Sequence, residues 1–140
     1  MSLKVSELHV GVSYVQVVVD NLTRTQIVQY AGAAGDFNPL HTDDLFAREV
    51  AGYSGVFAHG MLGMGLCGKM LTDWVGDGRL TKFGVRFRAQ IWPGDTLTAH
   101  ATVEALHEKD GVPYADLVVV ALNQEGAEVI VGNATARLDL

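Results

Sequence analysis

The sequence predicts an α+β fold, an antiparallel sheet curled around one central helix. Three observations carry that expectation. Residues 60–68 hold no charge and are rich in Gly, Met and Leu. Residues 82–91 alternate apolar and polar side chains with a period of two. Three more β-rich stretches follow, joined by short polar connections, the pattern of antiparallel hairpins.

The first element is Tyr14 to Asp20, a β-branched run that reads as a strand. Thr23 then caps a helix, with Gln26 three residues on as in a capping box. Ile27, Tyr30, Ala31 and Ala34 recur at helical spacing. The helix is expected to stop at Gly35, since glycine readily adopts the left-handed conformation that ends helices. After a polar loop, Thr42 is positioned to cap a second short helix. Asp43 and Asp44 fall in its first turn, and Leu45, Phe46 and Ala47 form its apolar part. Residues 52–55 are a turn.

Ala58 to Val75 is long for a strand and shows no polar face over its first half, so it reads as a helix buried on nearly all sides. Gly63, Gly65 and Gly68 should each cost roughly 1 kcal/mol against alanine there. A helix carrying them implies neighbours packed very close. Gly76-Asp77-Gly78 ends it. In 82–91, Phe83, Val85, Phe87, Ala89 and Ile91 form the expected buried face and Lys82, Arg86, Arg88 and Gln90 the polar one. Pro93-Gly94-Asp95 is a turn. Residues 96–106, 114–122 and 129–138 are the remaining strands.

A chain of 140 residues fits one domain, here residues 1–140, and can bury a real core. With 49% hydrophobic and 19% charged residues, wholesale disorder is excluded. A net charge of −6 and the lack of a basic block speak against a nucleic-acid binder. Cys67 is the single cysteine, so an intrachain disulfide and an all-cysteine metal site are excluded, which is compatible with a reducing cytoplasm. Residues 1–12 lack the apolar core of a signal peptide, and no run of 18 apolar residues offers a membrane span.

Gly35-Asp36-Phe37-Asn38-Pro39-Leu40-His41 concentrates the chemistry. Pro39 fixes its own φ and biases Asn38 to an extended conformation, so a bent loop can turn Asp36 and His41 into one pocket. A carboxylate and an imidazole together can remove one proton and deliver another. Asn38 can hold either partner but does not titrate near neutral pH. The plainer alternative is a loop in which Asp36 caps a turn and His41 starts the next helix.

Ala58-His59-Gly60-Met61 is the second constellation. Helix N-termini present N–H groups without internal partners, and Gly60 lets a ligand oxygen approach one closely. This is a candidate oxyanion site; the alternative is a glycine required by packing. His59 is either a further polar contact to the ligand at this site or a capping or loop histidine. His41, His59, Asp36 and Asp43 are possible metal ligands, but no His-x-x-x-His or His-Glu-x-x-His spacing occurs, so no metal is expected. A Gly-x-Ser-x-Gly elbow and a phosphate-binding Gly-x-x-x-x-Gly-Lys loop are both missing. Cys67 reads as an inert core thiol. Arg86 and Arg88 are either solvated surface or contacts to ligand phosphates.

These motifs resemble those of the MaoC-like dehydratases, which include the (R)-specific enoyl-CoA hydratases and the (3R)-hydroxyacyl-ACP dehydratases. The 35–41 loop resembles the hydratase motif, 58–61 the second signature, and Pro93-Gly94-Asp95 with the following strands the C-terminal half. The resemblance implies a hotdog fold paired into a dimer, homodimeric or heterodimeric, with active sites near the interface. It implies reversible hydration of trans-2-enoyl thioesters carried on coenzyme A or an acyl carrier protein. Asp36 and His41 would be the catalytic pair, Gly60 N–H would bind the thioester carbonyl and Asn38 would support the pair. Neither metal nor redox cofactor is implied. One departure stands out: some relatives carry a Ser two turns beyond the glycine of the second motif, where this chain has Gly68. A hotdog thioesterase and a non-catalytic acyl-thioester-binding subunit are the rival expectations.

Overall fold

The computed structural model describes residues 2–140. Five strands form one antiparallel sheet: β1 (Ser13–Val19), β2 (Leu80–Phe87), β3 (Leu97–Lys109), β4 (Val112–Leu122) and β5 (Glu128–Arg137). Their order is β1-β3-β4-β5-β2, so β1 and β2 are the two edges. Two helices complete the frame, α1 (Arg24–Ala34) and α2 (Gly60–Val75).

The local rules behind α1 hold. Gln26 N–H donates to Thr23 Oγ1 at 3.1 Å, and Thr23 N–H donates to Gln26 Oε1 at 2.9 Å, closing a capping box. Gly35 ends the helix with φ +70°, where a side chain would be strained. Ile27 and Ala31 are buried, but Ala34, at the last turn, is exposed. The β3–β4 hairpin turns on Asp110 and Gly111, both at positive φ (53° and 79°), which suits a two-residue connection between twisted strands.

The core lies between α2 and the inner face of the sheet. Along β4, Pro113, Ala115, Leu117, Val119 and Ala121 are buried and their neighbours less so, the period-2 signature of a sheet with one covered face. Gly63, Cys67, Met70, Leu71 and Val75 are the buried face of α2. A Cβ at Gly63 would lie 2.7 Å from Ile130 Cδ1 and 2.8 Å from Ile91 Cδ1. The close packing expected of this glycine-bearing helix is therefore present at Gly63. It is absent at Gly65, where a Cβ would meet nothing within 4 Å.

Four expectations need correction. First, α2 is not buried on nearly all sides: Met61 is 55% exposed and Gly65 is exposed. Second, the period-2 segment leaves the sheet after Phe87. Phe87 is 49% exposed and Ala89 is exposed, while Ile91 re-enters the core. Alternation in the sequence outlasts the hydrogen-bonded ladder there. Third, Thr42 does not cap the second short helix: it closes the preceding 3-10 turn, and the side chain that accepts from the helical segment is Asp43, from Phe46 N–H at 3.2 Å. Fourth, that segment is a π-helical turn, Phe46–Val50, preceded by a separate 3-10 turn, Pro39–His41. No helix among the described residues is long and apolar enough to cross a membrane.

Candidate active site

The 35–41 loop leaves α1 at Gly35 and is stiffened by its own residues. Asp36 Oδ1 accepts from Asn38 N–H at 3.3 Å. Asn38 Oδ1 accepts from Leu40 N–H at 3.0 Å, capping the 3-10 turn that carries His41. Asn38 thus fixes the shape of the loop that carries Asp36 and His41.

The loop is lashed to residues 57–59, just ahead of α2, by three hydrogen bonds. His41 Nδ1–H donates to Phe57 C=O at 2.6 Å. His59 Nε2–H donates to Asp36 C=O at 3.0 Å. Phe57 N–H donates to Leu40 C=O at 3.3 Å. Because carbonyls only accept, His41 Nδ1 and His59 Nε2 each carry the hydrogen, and in the neutral imidazoles the acceptor nitrogens are then His41 Nε2 and His59 Nδ1. The two imidazoles stack, centroids 3.8 Å apart and planes 26° from parallel. Tyr30 from α1 meets the His59 ring edge-on at 4.9 Å, and Phe57 meets the His41 ring edge-on at 5.3 Å.

Asp36, His41 and His59 offer ligand atoms within 4.8 Å of one another, so the two motifs form one cluster. Asp36 is exposed and His41 half-buried, whereas His59 is 2% exposed. His59 sits at the N-cap position of α2 but its side chain caps nothing. Its Nδ1 is buried with no partner. Of the alternatives for His59, the side-chain cap is not formed, and the residue lies in the loop just ahead of the helix.

Gly60 N–H, the first of α2, has no acceptor among the described residues. A Cβ at Gly60 would lie 3.0 Å from the Phe87 ring, so any larger residue would need that ring to give way. Gly60 opens on a cleft of about 250 Å³ bounded by Phe57, Phe87, Arg88 and Ile91. Asp36 and His41 lie outside this lining and reach it through the His41–Phe57 contact. Gly68, the position at which the sequence departs from the resemblance, faces the Phe83 ring, with a Cβ position 3.5 Å from it. Arg86 and Arg88, together with Lys82, border a separate depression on β2 and form no ion pair among the described residues.

Ion pairs brace the loop from outside. Arg24, at the start of α1, holds Asp44 through both guanidinium nitrogens, the second at 3.1 Å. Arg24 and then the Val56 N–H hold the Asp44 carboxyl below its usual range. Burial pushes the Cys67 thiol up to about 11, as expected of an inert core cysteine. Sequence reasoning missed Tyr30, whose place in the apolar stripe of α1 hides its contact with His59. It also missed Phe57, which acts through a backbone carbonyl and leaves no residue-type signal.

A five-stranded antiparallel sheet laid on one long helix, with a carboxylate and two imidazoles at the helix N-terminus, defines the hotdog class of α+β protein. The sequence profile of the MaoC-like domain family matches residues 6–124, and the chain belongs to that family. The (R)-specific enoyl-CoA hydratase of Aeromonas caviae is 33% identical over 115 residues, spanning 81% of this chain and 84% of that protein. A solved structure of an (R)-hydratase from A. caviae superposes with a TM-score of 0.81 at 29% identity, covering 94% of this chain and 97% of that one. The 3-hydroxyacyl-thioester dehydratase Y of Mycobacterium tuberculosis is 34% identical over 83 residues, which are 57% of this chain and 29% of that longer protein.

Proposed function

We propose that this protein catalyses reversible hydration of trans-2-enoyl thioesters to (3R)-3-hydroxyacyl thioesters, as a hydro-lyase of fatty-acid metabolism. One observation carries the proposal. His41 is locked with Nδ1–H on the Phe57 carbonyl, which leaves Nε2 of the neutral ring to act as the base, and the ring and the Asp36 carboxylate belong to one cluster with ligand atoms within 4.8 Å of one another. That pair stands next to a helix N-terminus whose first N–H is free. In the hydration direction the water oxygen bonds to C3 and a water proton passes to the Asp36–His41 pair. Charge moves to the thioester oxygen, where Gly60 N–H stabilises it. The pair then returns a proton to C2 as the carbonyl re-forms, and water has added across the double bond. The named activities of the A. caviae and mycobacterial relatives support the same chemistry.

The reaction is assigned to the chain's own groups without metal or redox cofactor. His41 Nδ1 and His59 Nε2 are committed to carbonyls, and near-parallel stacked rings do not converge their in-plane lone pairs on one ion. The substrate arrives on coenzyme A or an acyl carrier protein. We further propose a cytoplasmic dimer, supported by the lone reduced cysteine and by apolar surface left open beside the site. Phe37 is 70% exposed, and Met61 and Phe87 are also open to solvent. A second copy would cover that surface and complete a cleft that one chain leaves partial; a heterodimer with a related subunit is the other arrangement.

The test is incubation with crotonyl-CoA, following the conjugated thioester absorbance. Absorbance should fall to an equilibrium, and an (R)-specific 3-hydroxyacyl dehydrogenase should oxidise the product. Release of free thiol would indicate a thioesterase instead. No change with enoyl thioesters of any chain length would refute the hydratase assignment.

A further inference from the structure

We propose that His59 is a positioning residue that fixes the separation of the acid and the base, resting on the assignment of Asp36 and His41 as the pair. Two of its contacts go to the two members. Nε2–H holds the backbone carbonyl of Asp36 at 3.0 Å, and the ring face lies 3.8 Å from the His41 ring. The bond returns in the opposite sense, because His41 Nδ1–H holds Phe57, two residues before His59. Each histidine therefore donates to the segment that carries the other. The loop cannot shift along residues 57–59 without breaking both bonds and sliding the stacked rings apart.

Space filling does not account for this side chain. His59 is 2% exposed and its Nδ1 is a buried acceptor with no partner. An orphaned buried acceptor is unfavourable, and an apolar ring of similar size would avoid it. Helix capping does not account for it either, since no side-chain cap bond forms. What an apolar ring cannot supply is the donor to Asp36. His59 also precedes Gly60 directly, so the same residue ties the pair to the free N–H at the head of α2. Tyr30, edge-on at 4.9 Å, backs the ring from α1.

The experiment compares His59→Gln with His59→Phe in the full chain. Glutamine places an amide N–H near the position of Nε2 and lacks the aromatic face; phenylalanine keeps the face and lacks the donor. Displacement of a catalytic group by about 1 Å can cost on the order of a hundredfold in rate. His59→Phe should lose about tenfold to a hundredfold in kcat with KM little changed, and His59→Gln should recover most of that loss. Amide hydrogen exchange at Asn38 and Leu40 should accelerate in His59→Phe and not in His59→Gln. The wild-type imidazole spectrum, read by nitrogen chemical shift, should show a protonated Nε2 and a bare Nδ1 on His59. Full kcat in His59→Phe, or a glutamine variant as impaired as phenylalanine, would overturn the proposal. So would an Nε2 without its hydrogen in the wild type, which decides the matter even if a variant fails to fold. If the wild type hydrates no enoyl thioester, the assigned reaction fails, while the exchange and imidazole measurements still judge the clamp.

Discussion

His41 and His59 stack 3.8 Å apart and donate crosswise, His41 to the carbonyl of Phe57 and His59 to the carbonyl of Asp36. Asp36, His41 and the head of α2 are thereby one unit, though they come from segments some twenty residues apart in the chain. The rest of the fold gives that unit a rigid seat, and its parts make separate predictions.

Gly132 on β5 faces the backbone of β2. A Cβ there would fall on the Gly84 carbonyl oxygen and 2.9 Å from Val85 Cα, and backbone cannot rotate aside as a side chain can. Gly132→Ala should cost about 3 kcal/mol, the upper part of the usual overpacking range. Gly84→Ala, one strand away with nothing within 4 Å, should be neutral or gain roughly 0.5–1 kcal/mol. Urea unfolding of the two variants reads the contrast.

Cys67 is fully buried on the inner face of α2 and its thiol is pushed up to about 11. The native thiol should resist a maleimide until the protein unfolds. Folding favours the neutral thiol, so this contribution is complete below the ordinary thiol pKa. It is lost as pH rises through about 11, because the unfolded chain ionises first. Cys67→Ala should show a flatter loss of stability on the alkaline side, at the expense of a small core cavity.

Asp44 makes the opposite prediction. Arg24 and Val56 N–H depress its carboxyl, so the contribution is present above the ordinary carboxylate range. It is lost as pH falls through the lowered value. Asp44→Asn should be less stable than wild type at neutral pH and should converge with it in acid. Urea midpoints measured between about pH 3 and 7 span the ordinary aspartate pKa and test this.

The open apolar surface around Phe37, Met61 and Phe87 predicts self-association. Sedimentation should give twice the mass of the chain. Specific activity should fall on dilution in step with dissociation. A monomer of full activity would contradict the assembly.

The parts legible in the sequence were those written locally. Thr23, Gln26 and Gly35 bound α1 because capping and left-handed backbone depend on adjacent residues. The uncharged 60–68 run marked the central helix, although its open face at Met61 and Gly65 was hidden, since an apolar helix looks alike whether a sheet or a second chain covers it. Thr42 and Asp43 are both good caps, and only the backbone path selects Asp43. Phe87 and Ala89 continue an alternating pattern after the ladder has ended. Both motifs of the site were visible as residue types. Their cross-bracing was not, because two of its four partners are carbonyl oxygens that every residue carries.

The most direct measurement is the rate of crotonyl-CoA hydration by wild type, Asp36→Asn and His41→Ala, with near-ultraviolet circular dichroism confirming that all three fold. General acid–base groups contribute about 10²–10⁴-fold each, so both variants should lose at least about a hundredfold in kcat. Equal rates in all three proteins would contradict the roles given to the pair.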